Sequence, residues 1–376
     1  MKKIVYISGT RADFGLMKNV LNKINDNSEL NLNIFVTGMH LMSEFGNTIK
    51  EIKRYNFNFL EIDSTYKKDS KESMVKFLSK FLEKALPKIS GLRPDIILVI
   101  GDRAEMLGGA ILGNYLSIPV FHIHGGEKTS TVDDNVRHSI TKLSHFHFPA
   151  TNKSAFRIEK MGEEKWRILK VGAPGLEDIL DENFSSSSEI ESIFNIDLNK
   201  PVLLIIQHPV TLDYKESAFQ MKETMEAIKK MGYQSVIIYP NSDAGGREMI
   251  RIIEKYRDND FIKIFKNISR EEFLGLMRVV SVMIGNSSSG IIEAPSFNLP
   301  VLNIGSRQEG RERAGNVIDI DYNRKLIQKI TEKLIKKEKK KKYKNPYKDK
   351  KTSSKIVKKL LEVRINKKLL DKKLTY

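Results

Sequence analysis

Two segments in the first half of the chain contain the kinds of side chain that transfer protons. Asp102 and Arg103 come soon after the apolar run Ile96 to Ile100. A second segment holds more ionisable side chains, which are, in order, His122, His124, Glu127, Asp133, Asp134, Arg137 and His138. So many ionisable groups exceed what helix capping needs, and they predict a site of general acid–base catalysis. For Asp102 and Arg103 taken alone, a helix N-cap with a surface ion pair is an equal alternative.

The second half of the chain contains a hexapeptide with the composition of a phosphate-binding turn. It reads Gly285-Asn286-Ser287-Ser288-Ser289-Gly290 and lies between the apolar run Val282 to Ile284 and a helix-like segment that carries Glu293. A strand, a turn of small hydroxylated residues and a helix start present backbone N–H groups and hydroxyls to an anion. Arg307 follows the next apolar run, and its guanidinium suits phosphate oxygens. A solvated loop is the better explanation of the hexapeptide alone, whereas Glu293 and Arg307 at these offsets favour a phosphate site.

Ten short apolar runs alternate with amphipathic stretches, which predicts strands separated by helices. The runs are Ile4 to Ile7, Leu32 to Val36, Phe59 to Ile62, Ile96 to Ile100, Val120 to Ile123, Val202 to Ile206, Ser235 to Tyr239, Ile262 to Phe265, Val282 to Ile284 and Val301 to Ile304. Buried strands joined by helices form βαβ units on parallel sheets. The predicted fold class is therefore α/β, with two doubly wound parallel-sheet domains. Ligands of such folds bind at the carboxyl ends of the strands, where both the proton-transfer residues and the hexapeptide lie.

The boundary between the two predicted domains coincides with an interruption of this alternation. Between Asp181 and Lys200 a polar stretch of low order is expected, before Pro201 starts the second series. We place the junction near residues 172–175, so the predicted domains span residues 1–175 and 176–351. Apolar residues at helical spacing within residues 352–376 predict a tail helix that docks its apolar face on a domain.

Several classes of function lack their sequence signature. The 376 residues include no cysteine, which excludes disulfides and thiolate chemistry. No dinucleotide-binding or Walker loop follows the first strand, so no cofactor is expected. The carboxylates that follow His122 and His124 lie on a predicted loop and not on the strand, so no metal site is expected either. Without a signal-like N-terminus or a membrane-length apolar run, the sequence predicts a cytoplasmic protein with no membrane contact.

The net charge of +17 is concentrated at one end of the chain. Residues 324–376 hold 22 Lys and Arg against 5 Asp and Glu, so the rest of the chain is neutral overall. An excess confined to the tail indicates solvated, lysine-rich helices, and nucleic-acid binding is a minority alternative. Aromatic residues do not alternate with the lysines in the way that single-strand binders require.

Eight motifs in collinear order resemble those of one enzyme family. They are Gly9-Thr10-Arg11-Ala12-Asp13, Gly101-Asp102-Arg103, His122-Ile123 with Gly125-Gly126-Glu127, Asp133 with Arg137-His138, Gln207-His208-Pro209, Pro240-Asn241 with Asp243, Gly285-Asn286-Ser287-Ser288 with Glu293, and Gly305-Ser306-Arg307-Gln308. Together they are similar to the UDP-hydrolysing UDP-N-acetylglucosamine 2-epimerases of sialic-acid synthesis. That family has the GT-B architecture, in which two Rossmann-like domains face each other across a cleft. Eight motifs in order are far more specific than any one of them.

The resemblance implies that the second domain holds UDP and that the first supplies catalytic groups. It implies catalytic roles for Asp102, Glu127, Asp133 and His208. It implies substrate contacts for Arg11, Asp13, His40, Arg103, His122, His124, Asp134, Asn241, Ser287, Ser288, Glu293 and Arg307. Among these, Asn241 is expected at uracil, Glu293 at the ribose hydroxyls and Arg307 at the phosphates. By the same analogy, the tail helix packs back on the first domain.

The implied reaction converts UDP-N-acetylglucosamine and water to N-acetylmannosamine and UDP, by anti elimination to a glycal and then hydration. It needs no cofactor, and a homodimer or homotetramer is expected. The chain departs from the family pattern at His124, where the sialic-acid type commonly has glutamate. Relatives on the legionaminic-acid pathway act on UDP-2,4-diacetamido-2,4,6-trideoxyglucose, which is the alternative substrate. A GT-B glycosyltransferase, a non-hydrolysing epimerase, and a UDP-sugar sensor or RNA-binding protein are the competing functions.

Overall fold

The computed structural model describes residues 1–336 and 341–376, and this part of the chain contains two six-stranded sheets. The first sheet is formed by β1 (Lys2–Ser8), β2 (Leu30–Val36), β3 (Asn58–Glu61), β4 (Ile96–Ile100), β5 (Val120–Ile123) and β6 (Phe146–Phe148). The second is formed by β7 (Val202–Ile206), β8 (Gln234–Ile238), β9 (Ile262–Phe265), β10 (Val282–Gly285), β11 (Val301–Ile304) and β12 (Val317–Ile320). We call the first sheet with its helices the first domain, and the second sheet with its helices the second domain.

Helices flank both sheets. They are α1 (Arg11–Asn25), α2 (Ile49–Ile52), α3 (Lys71–Leu92), α4 (Ala104–Tyr115), α5 (Val132–Leu143), α6 (Asn152–Lys160), α7 (Glu177–Leu180), α8 (Ser187–Phe194), α9 (Ser217–Met231), α10 (Gly246–Glu254), α11 (Arg270–Val279), α12 (Ser289–Ile292), α13 (Arg324–Ile335), α14 (Thr352–Glu362) and α15 (Lys367–Leu370). Short 3₁₀ segments lie at Gly38–Leu41, Ser43–Phe45, Lys165–Arg167, Pro174–Leu176, Thr211–Glu216 and Ala294–Phe297.

The strand order confirms the predicted fold class. It is β3-β2-β1-β4-β5-β6 in the first sheet and β12-β11-β10-β7-β8-β9 in the second, and the paired strands are parallel. All ten predicted apolar runs overlap strands. The runs do not reveal β6, which has three residues, or β12, whose side chains are exposed or half-buried at the sheet edge.

The connectivity of the sheets brings four loops to the cleft. The order of strands reverses between β1 and β4 in the first sheet and between β7 and β10 in the second. Ligands of doubly wound folds bind outside the carboxyl ends of the strands at this point. The loops there begin at Gly9, Gly101, Gln207 and Asn286, so four of the eight sequence motifs occupy this position.

The C-terminal tail packs on the first domain. Ile356, Val357 and Leu360 of α14 are buried in the same apolar core as β1 and α1. Beyond that helix, the buried Arg167 donates hydrogen bonds to the backbone carbonyls of Leu369 (2.6 Å) and Lys368 (2.9 Å). The residue bounds of the two domains stay a prediction from the sequence.

The stretch between Asp181 and Lys200 contains α8, so the prediction of low order was wrong. Ser186 begins the helix with a capping box. Its hydroxyl accepts a hydrogen bond from the backbone N–H of Glu189, and the backbone N–H of Ser186 donates to the Glu189 carboxylate (2.7 Å). Ile190 and Phe194, one helical turn apart, are buried in the core of the second domain. The serines of this stretch therefore start a packed helix and do not form a linker.

The helix that follows the hexapeptide is shorter than the sequence predicts. α12 has one turn, and Glu293 lies at its C-cap. Pro295 lacks an N–H and its ring would clash with the carbonyl of Ile291, so the chain continues as a 3₁₀ segment. At the start of the turn, Gly285 has a φ of +128°, where a Cβ atom would collide with the carbonyl oxygen of Ile206.

Candidate active site

Arg137 lies at the centre of the acidic groups of the first domain. Its buried guanidinium contacts the carboxylate of Asp102 and donates to Oδ1 of Asp134 (3.3 Å). Arg137 and Asp134 lie one turn apart on α5, whereas Asp102 arrives from the loop after β4. Burial opposes ionisation of Asp102, but the guanidinium groups of Arg137, Arg311 and Arg307 outweigh it and lower its pKa. Asp102 is therefore an anion at neutral pH.

Asp133 lies in the first turn of α5 and titrates differently from Asp102. Its Oδ2 atom is 3.6 Å from Nη2 of Arg307, which belongs to the second domain. Burial and the charge of Asp102 raise the pKa of Asp133 to about 6, against the attraction of Arg307. Two carboxylates of one site thus have different protonation behaviour, because Asp102 stays ionised and Asp133 exchanges its proton near neutral pH.

His124 and Glu127 form a buried pair on the loop after β5. Nδ1 of His124 is 2.5 Å from Oε1 of Glu127, and Oε2 of Glu127 is 2.9 Å from Nη2 of Arg311. Burial opposes ionisation of Glu127, but Arg311 and His124 lower its pKa to about 2. β5 ends at Ile123, so His124 does not lie on the strand where the sequence pattern placed it. Arg311 reaches the pair from the loop after β11, across the cleft.

The other two predicted histidines of the first domain are buried and uncharged. Nε2 of His122 is 2.8 Å from the carbonyl oxygen of Gly101, and Nε2 of His40 is 2.9 Å from Oγ of Ser8. Burial lowers the pKa of His40 to about 4 and that of His122 to about 3. These histidines therefore stabilise the end of β1 and the loop after β4 as neutral hydrogen-bonding groups.

Asn286 joins the loops of the second domain that face the cleft. Its Oδ1 accepts from the N–H of His208 (2.7 Å) and its Nδ2 donates to the His208 carbonyl (2.9 Å). Its own carbonyl accepts from Nη1 of Arg307 (3.2 Å). The loops after β7, β10 and β11 are thus fixed to each other by the side chain and the backbone carbonyl of one buried asparagine.

The imidazole of His208 is neutral, with its proton on a defined nitrogen. Burial lowers the pKa of His208 well below its usual value, and the positive charges of Arg307 and Arg103 lower it further. Nδ1 accepts a hydrogen bond from the N–H of Asn241 (3.1 Å), so the proton of the neutral ring lies on Nε2. His208 can therefore donate a hydrogen bond from Nε2 to an anion.

The serine turn keeps donors available for a ligand. Ser287 and Ser288 are partly exposed, and the Ser287 and Ser289 hydroxyls lie 2.8 Å apart. Within the described residues, the backbone N–H groups of Ser287 and Ser288 have no hydrogen-bond partner. Two such amides beside Arg307 form a site suited to an anion.

Asn241 is connected to the first domain through Asp243. Nδ2 of Asn241 donates to Oδ2 of Asp243 (2.6 Å), and Oδ1 of Asp243 is 3.3 Å from Nη2 of Arg103. Arg103 also lies 3.3 Å from Oε1 of the buried Glu105. The residue predicted to contact uracil and an arginine of the first domain therefore belong to one polar chain.

Three predicted site residues make their polar contacts outside these clusters. Asp13 caps α1 and accepts from the N–H of Thr10 (2.6 Å). Arg11 pairs with Glu51 (2.5 Å) and donates to Asn267 (2.6 Å). Glu293 is buried and forms an ion pair with Arg270, whose Nη2 donates to the carbonyl of Gly175 (2.7 Å). Asp13 therefore stabilises the start of α1, Arg11 joins the two domains through Asn267, and Glu293 with Arg270 holds the chain near the predicted junction.

Four residues that contact the predicted site were given no role from the sequence. Arg137 and Asp243 stand within the motifs, and their charge at the carboxyl ends of strands was the available signal. Arg311 and Arg270 have no such signal, because one lies in a long loop and the other begins a helix on the far side of β9. Their partners become evident only once the two domains face each other.

Two further kinds of site are not found in the described part of the chain. Residues 1–336 and 341–376 contain no group of three or more His, Asp or Glu residues arranged to hold a metal ion. Over the same residues, no helix has the length and apolar character to cross a membrane.

Comparisons with known proteins agree with the sequence resemblance. A family model described as UDP-N-acetylglucosamine 2-epimerase matches residues 22–361. A Legionella pneumophila relative named UDP-N,N'-diacetylbacillosamine 2-epimerase (hydrolyzing) is 42% identical over 324 residues, which cover 85% of each chain. A Neisseria meningitidis relative named UDP-N-acetylglucosamine 2-epimerase is 35% identical over 327 residues, covering 87% of this chain and 86% of the relative.

A solved structure has the same fold. The UDP-GlcNAc 2-epimerase of Methanocaldococcus jannaschii, crystallised with UDP-GlcNAc and UDP, superposes with a TM-score of 0.80 at 20% identity. The superposition covers 96% of this chain and 100% of that one, which confirms the GT-B arrangement of two Rossmann-like domains. The family model matches residues 22–361 of this chain, and the two relatives are 42% and 35% identical to it. The chain therefore belongs to the UDP-N-acetylglucosamine 2-epimerase family.

Proposed function

We propose that the protein hydrolyses a UDP-linked 2-acetamido sugar with inversion at C2, releasing UDP and the free sugar. The observation that carries this proposal is the position of Arg307, which contacts Asn286 of the serine turn and Asp133 of the first domain. A site for phosphate and a site for proton transfer are therefore adjacent. The hydrolysing activity named for the Legionella relative supports the same function.

The second domain binds the leaving group in this proposal. The free amides of Ser287 and Ser288, the Nε2–H of His208 and the guanidinium of Arg307 stabilise the negative charge that grows on the diphosphate oxygen. Asn241 contacts uracil and Glu293 the ribose. The sequence resemblance also assigns Arg103 and Arg11 to the phosphates; Arg103 pairs with Asp243 and Arg11 with Glu51. Because the phosphates are neutralised by protein groups, this chain's own residues suffice to support UDP as the leaving group.

The first domain carries out the proton transfers. A base removes the proton from C2 while the C1–O bond breaks, its electron pair leaves with UDP, and a C1–C2 double bond forms. Water then adds to C1 of this glycal, and a proton returns to C2 on the opposite face. Inversion therefore needs two groups, one that accepts and one that donates. Asp133, with a pKa of about 6, suits the donor, and Asp102 supplies fixed negative charge beside the reacting carbons.

Two substrates fit the comparisons, and they differ at C4 of the sugar. UDP-N-acetylglucosamine has a hydroxyl there, and it is the substrate first predicted from the sequence. UDP-2,4-diacetamido-2,4,6-trideoxyglucose has an acetamido group. The 42% identity to the relative named for the diacetamido sugar, against 35% for the one named for UDP-N-acetylglucosamine, favours the second candidate.

The experiment is incubation of the protein with each UDP-sugar separately, without any acceptor, followed by mass spectrometry and NMR of the products. We expect UDP and a free sugar inverted at C2, with the higher kcat/KM for the diacetamido substrate. A glycosyltransferase would require an acceptor, and a non-hydrolysing epimerase would return a UDP-linked product. If neither UDP-sugar releases UDP, the proposed function is wrong.

The finer predictions from the sequence complete the proposal. A cytoplasmic location, a homodimer or homotetramer, and a role in making a sialic-acid-type sugar are consistent with this reaction. A relative from Escherichia coli named polysialic acid biosynthesis protein P7, 33% identical over 331 residues, supports the last of these. Size-exclusion chromatography with light scattering would measure the oligomeric state.

A further inference from the structure

The backbone at His124 has a conformation that favours glycine. Its φ angle is +62°, in the left-handed region that L side chains rarely adopt. Gly125 and Gly126 follow directly, yet the strained position itself is occupied by a histidine. Strained residues persist where the surrounding structure holds them and where the side chain serves a function.

The contacts of the imidazole define which nitrogen carries its proton. Nδ1 lies 2.5 Å from Oε1 of Glu127, and the other oxygen of that carboxylate lies 2.9 Å from Arg311. Burial opposes ionisation of Glu127, but the charge of Arg311 and the contact with His124 lower its pKa, so its oxygens can only accept hydrogen bonds. Nδ1 must therefore donate, and the neutral ring has its lone pair on Nε2.

Several polar atoms around this pair lack a hydrogen-bond partner in the part of the chain that the structure describes. Nε2 of His124 is buried and has no hydrogen-bond partner among the described residues. Two of the three nitrogens of Arg311, Nε and Nη1, are also buried without a partner there. Buried polar groups in folded proteins are nearly always hydrogen-bonded, so unsatisfied groups gathered around one pair indicate a place for a ligand.

The charged groups around this pair come from both sides of the cleft. The first domain contributes Glu127 and Arg137, and the second contributes Arg311 and Glu293. The phenol of Tyr347 is also within electrostatic reach of Glu127. The histidine therefore lies between the acidic groups of the first domain and the second domain.

We infer that Nε2 of His124 is the base that removes the C2 proton, with Glu127 and Arg311 as positioning residues; this rests on the proposed function. The proton moves from C2 to Nε2, and the C–H electron pair forms the C1–C2 double bond as the C1–O pair leaves with UDP. The imidazolium that results is stabilised by the Glu127 carboxylate. Because Arg311 comes from the second domain, the base is fully assembled only when the two domains are in contact.

His124→Gly tests the inference without adding backbone strain, because glycine is the residue that a φ of +62° favours, and denaturant unfolding measures what the lost contact with Glu127 costs in stability. We expect turnover to fall by about 100-fold or more, the range typical of a lost general base. UDP binding by calorimetry should stay within threefold of the unmodified protein. Added imidazole should restore part of the turnover, and the acidic limb of the pH profile of kcat/KM should be lost.

Arg311→Met tests the positioning role and has a matched control in Arg313→Met. Arg313 lies on the same loop and pairs with Asp319 of its own domain. We expect Arg311→Met to lower kcat at least tenfold with unchanged UDP affinity, and Arg313→Met to leave both near their original values. Glu127→Gln should move the acidic limb of kcat/KM to lower pH, because the imidazolium loses its partner. A structural role would not move this limb.

The outcomes separate this inference from the proposed function. If the unmodified protein does not release UDP from either UDP-sugar, the proposed function itself fails. If it does, and His124→Gly keeps at least a third of the turnover, His124 is not the base. Loss of turnover with an unchanged acidic limb and no response to imidazole would also overturn the inference.

Discussion

Replacing Asp102 by asparagine removes one negative charge from the acidic site while changing the side-chain volume little. In the folded protein Asp102 contacts Arg137 and is kept ionised by Arg137, Arg311 and Arg307. The charge of Asp102 is also one of the two main reasons why the pKa of Asp133 is raised. Asp102→Asn therefore alters both the fixed charge beside the reacting carbons and the proton affinity of the predicted donor.

The magnitudes follow from the contacts that remain. Arg137 keeps hydrogen bonds to Asp134 (3.3 Å), to Oγ1 of Thr129 (3.2 Å) and to the carbonyl of Glu127 (3.3 Å). Its charge is not left alone, so we expect a loss of stability of about 1–3 kcal/mol and not the ~3–5 kcal/mol of an isolated buried charge. Turnover should fall by about 100-fold or more, because the fixed charge beside the reacting carbons is lost and the donor Asp133 is perturbed with it. The alkaline limb of kcat/KM should move to lower pH, because Asp133 would lose its proton more easily.

The assays are UDP release under saturating substrate, calorimetry with UDP, and denaturant unfolding. UDP affinity should stay within a few-fold, since the serine turn and Arg307 are unchanged. Asp319→Asn is a matched control, because Asp319 pairs with Arg313 at the edge of the second sheet. Near-normal turnover of Asp102→Asn, with an unmoved alkaline limb, would refute the role of Asp102.

Two further predictions concern UDP binding and the tail. Arg307→Ala and Ser288→Ala should chiefly weaken UDP binding. The loss should be about 10-fold or more for Arg307→Ala, because its guanidinium bonds to the charged diphosphate. Unchanged UDP affinity in calorimetry would contradict this prediction. Glu163 is buried between His147 (3.1 Å) and Lys372 (2.8 Å); burial opposes its ionisation, but these partners lower its pKa from 4.5 to about 2. Glu163→Gln should cost ~3 kcal/mol of stability at pH 7. Because the pKa of Glu163 is lower in the folded protein, this stabilisation is present above pH 4.5 and is lost as the pH falls towards 2. Equal free energies of unfolding of the variant and the unmodified protein at pH 7 would refute the prediction.

The arrangement of strands could be predicted from the sequence because the central strands are buried on both faces. Runs such as Ile96 to Ile100 are best explained by a parallel sheet covered by helices. The edge strand β12 lacks this signal, since only part of its surface is covered. The helix α8 was missed because serines at a helix N-terminus and serines in a linker have the same composition, and only the capping contacts distinguish them.

The candidate site could be predicted only in part from the sequence, for a different reason. Strand order alone places Asp102, His124 and Ser288 at the cleft, so their common location could be predicted. Which charges meet could not, because the contact between Asp102 and Arg137 depends on the rotational phase of α5. The contact between Glu127 and Arg311 depends on the approach of the two domains. Protonation states follow from these contacts and from burial, so they too require coordinates.

The most direct test of the chemistry at C2 is the reaction carried out in D2O, with NMR of the products. Breaking the C2–H bond and returning a proton from the opposite face should give a free sugar with deuterium at C2, in inverted configuration, together with UDP. A product that keeps its original hydrogen at C2, or the original configuration there, would contradict elimination and hydration in this cleft.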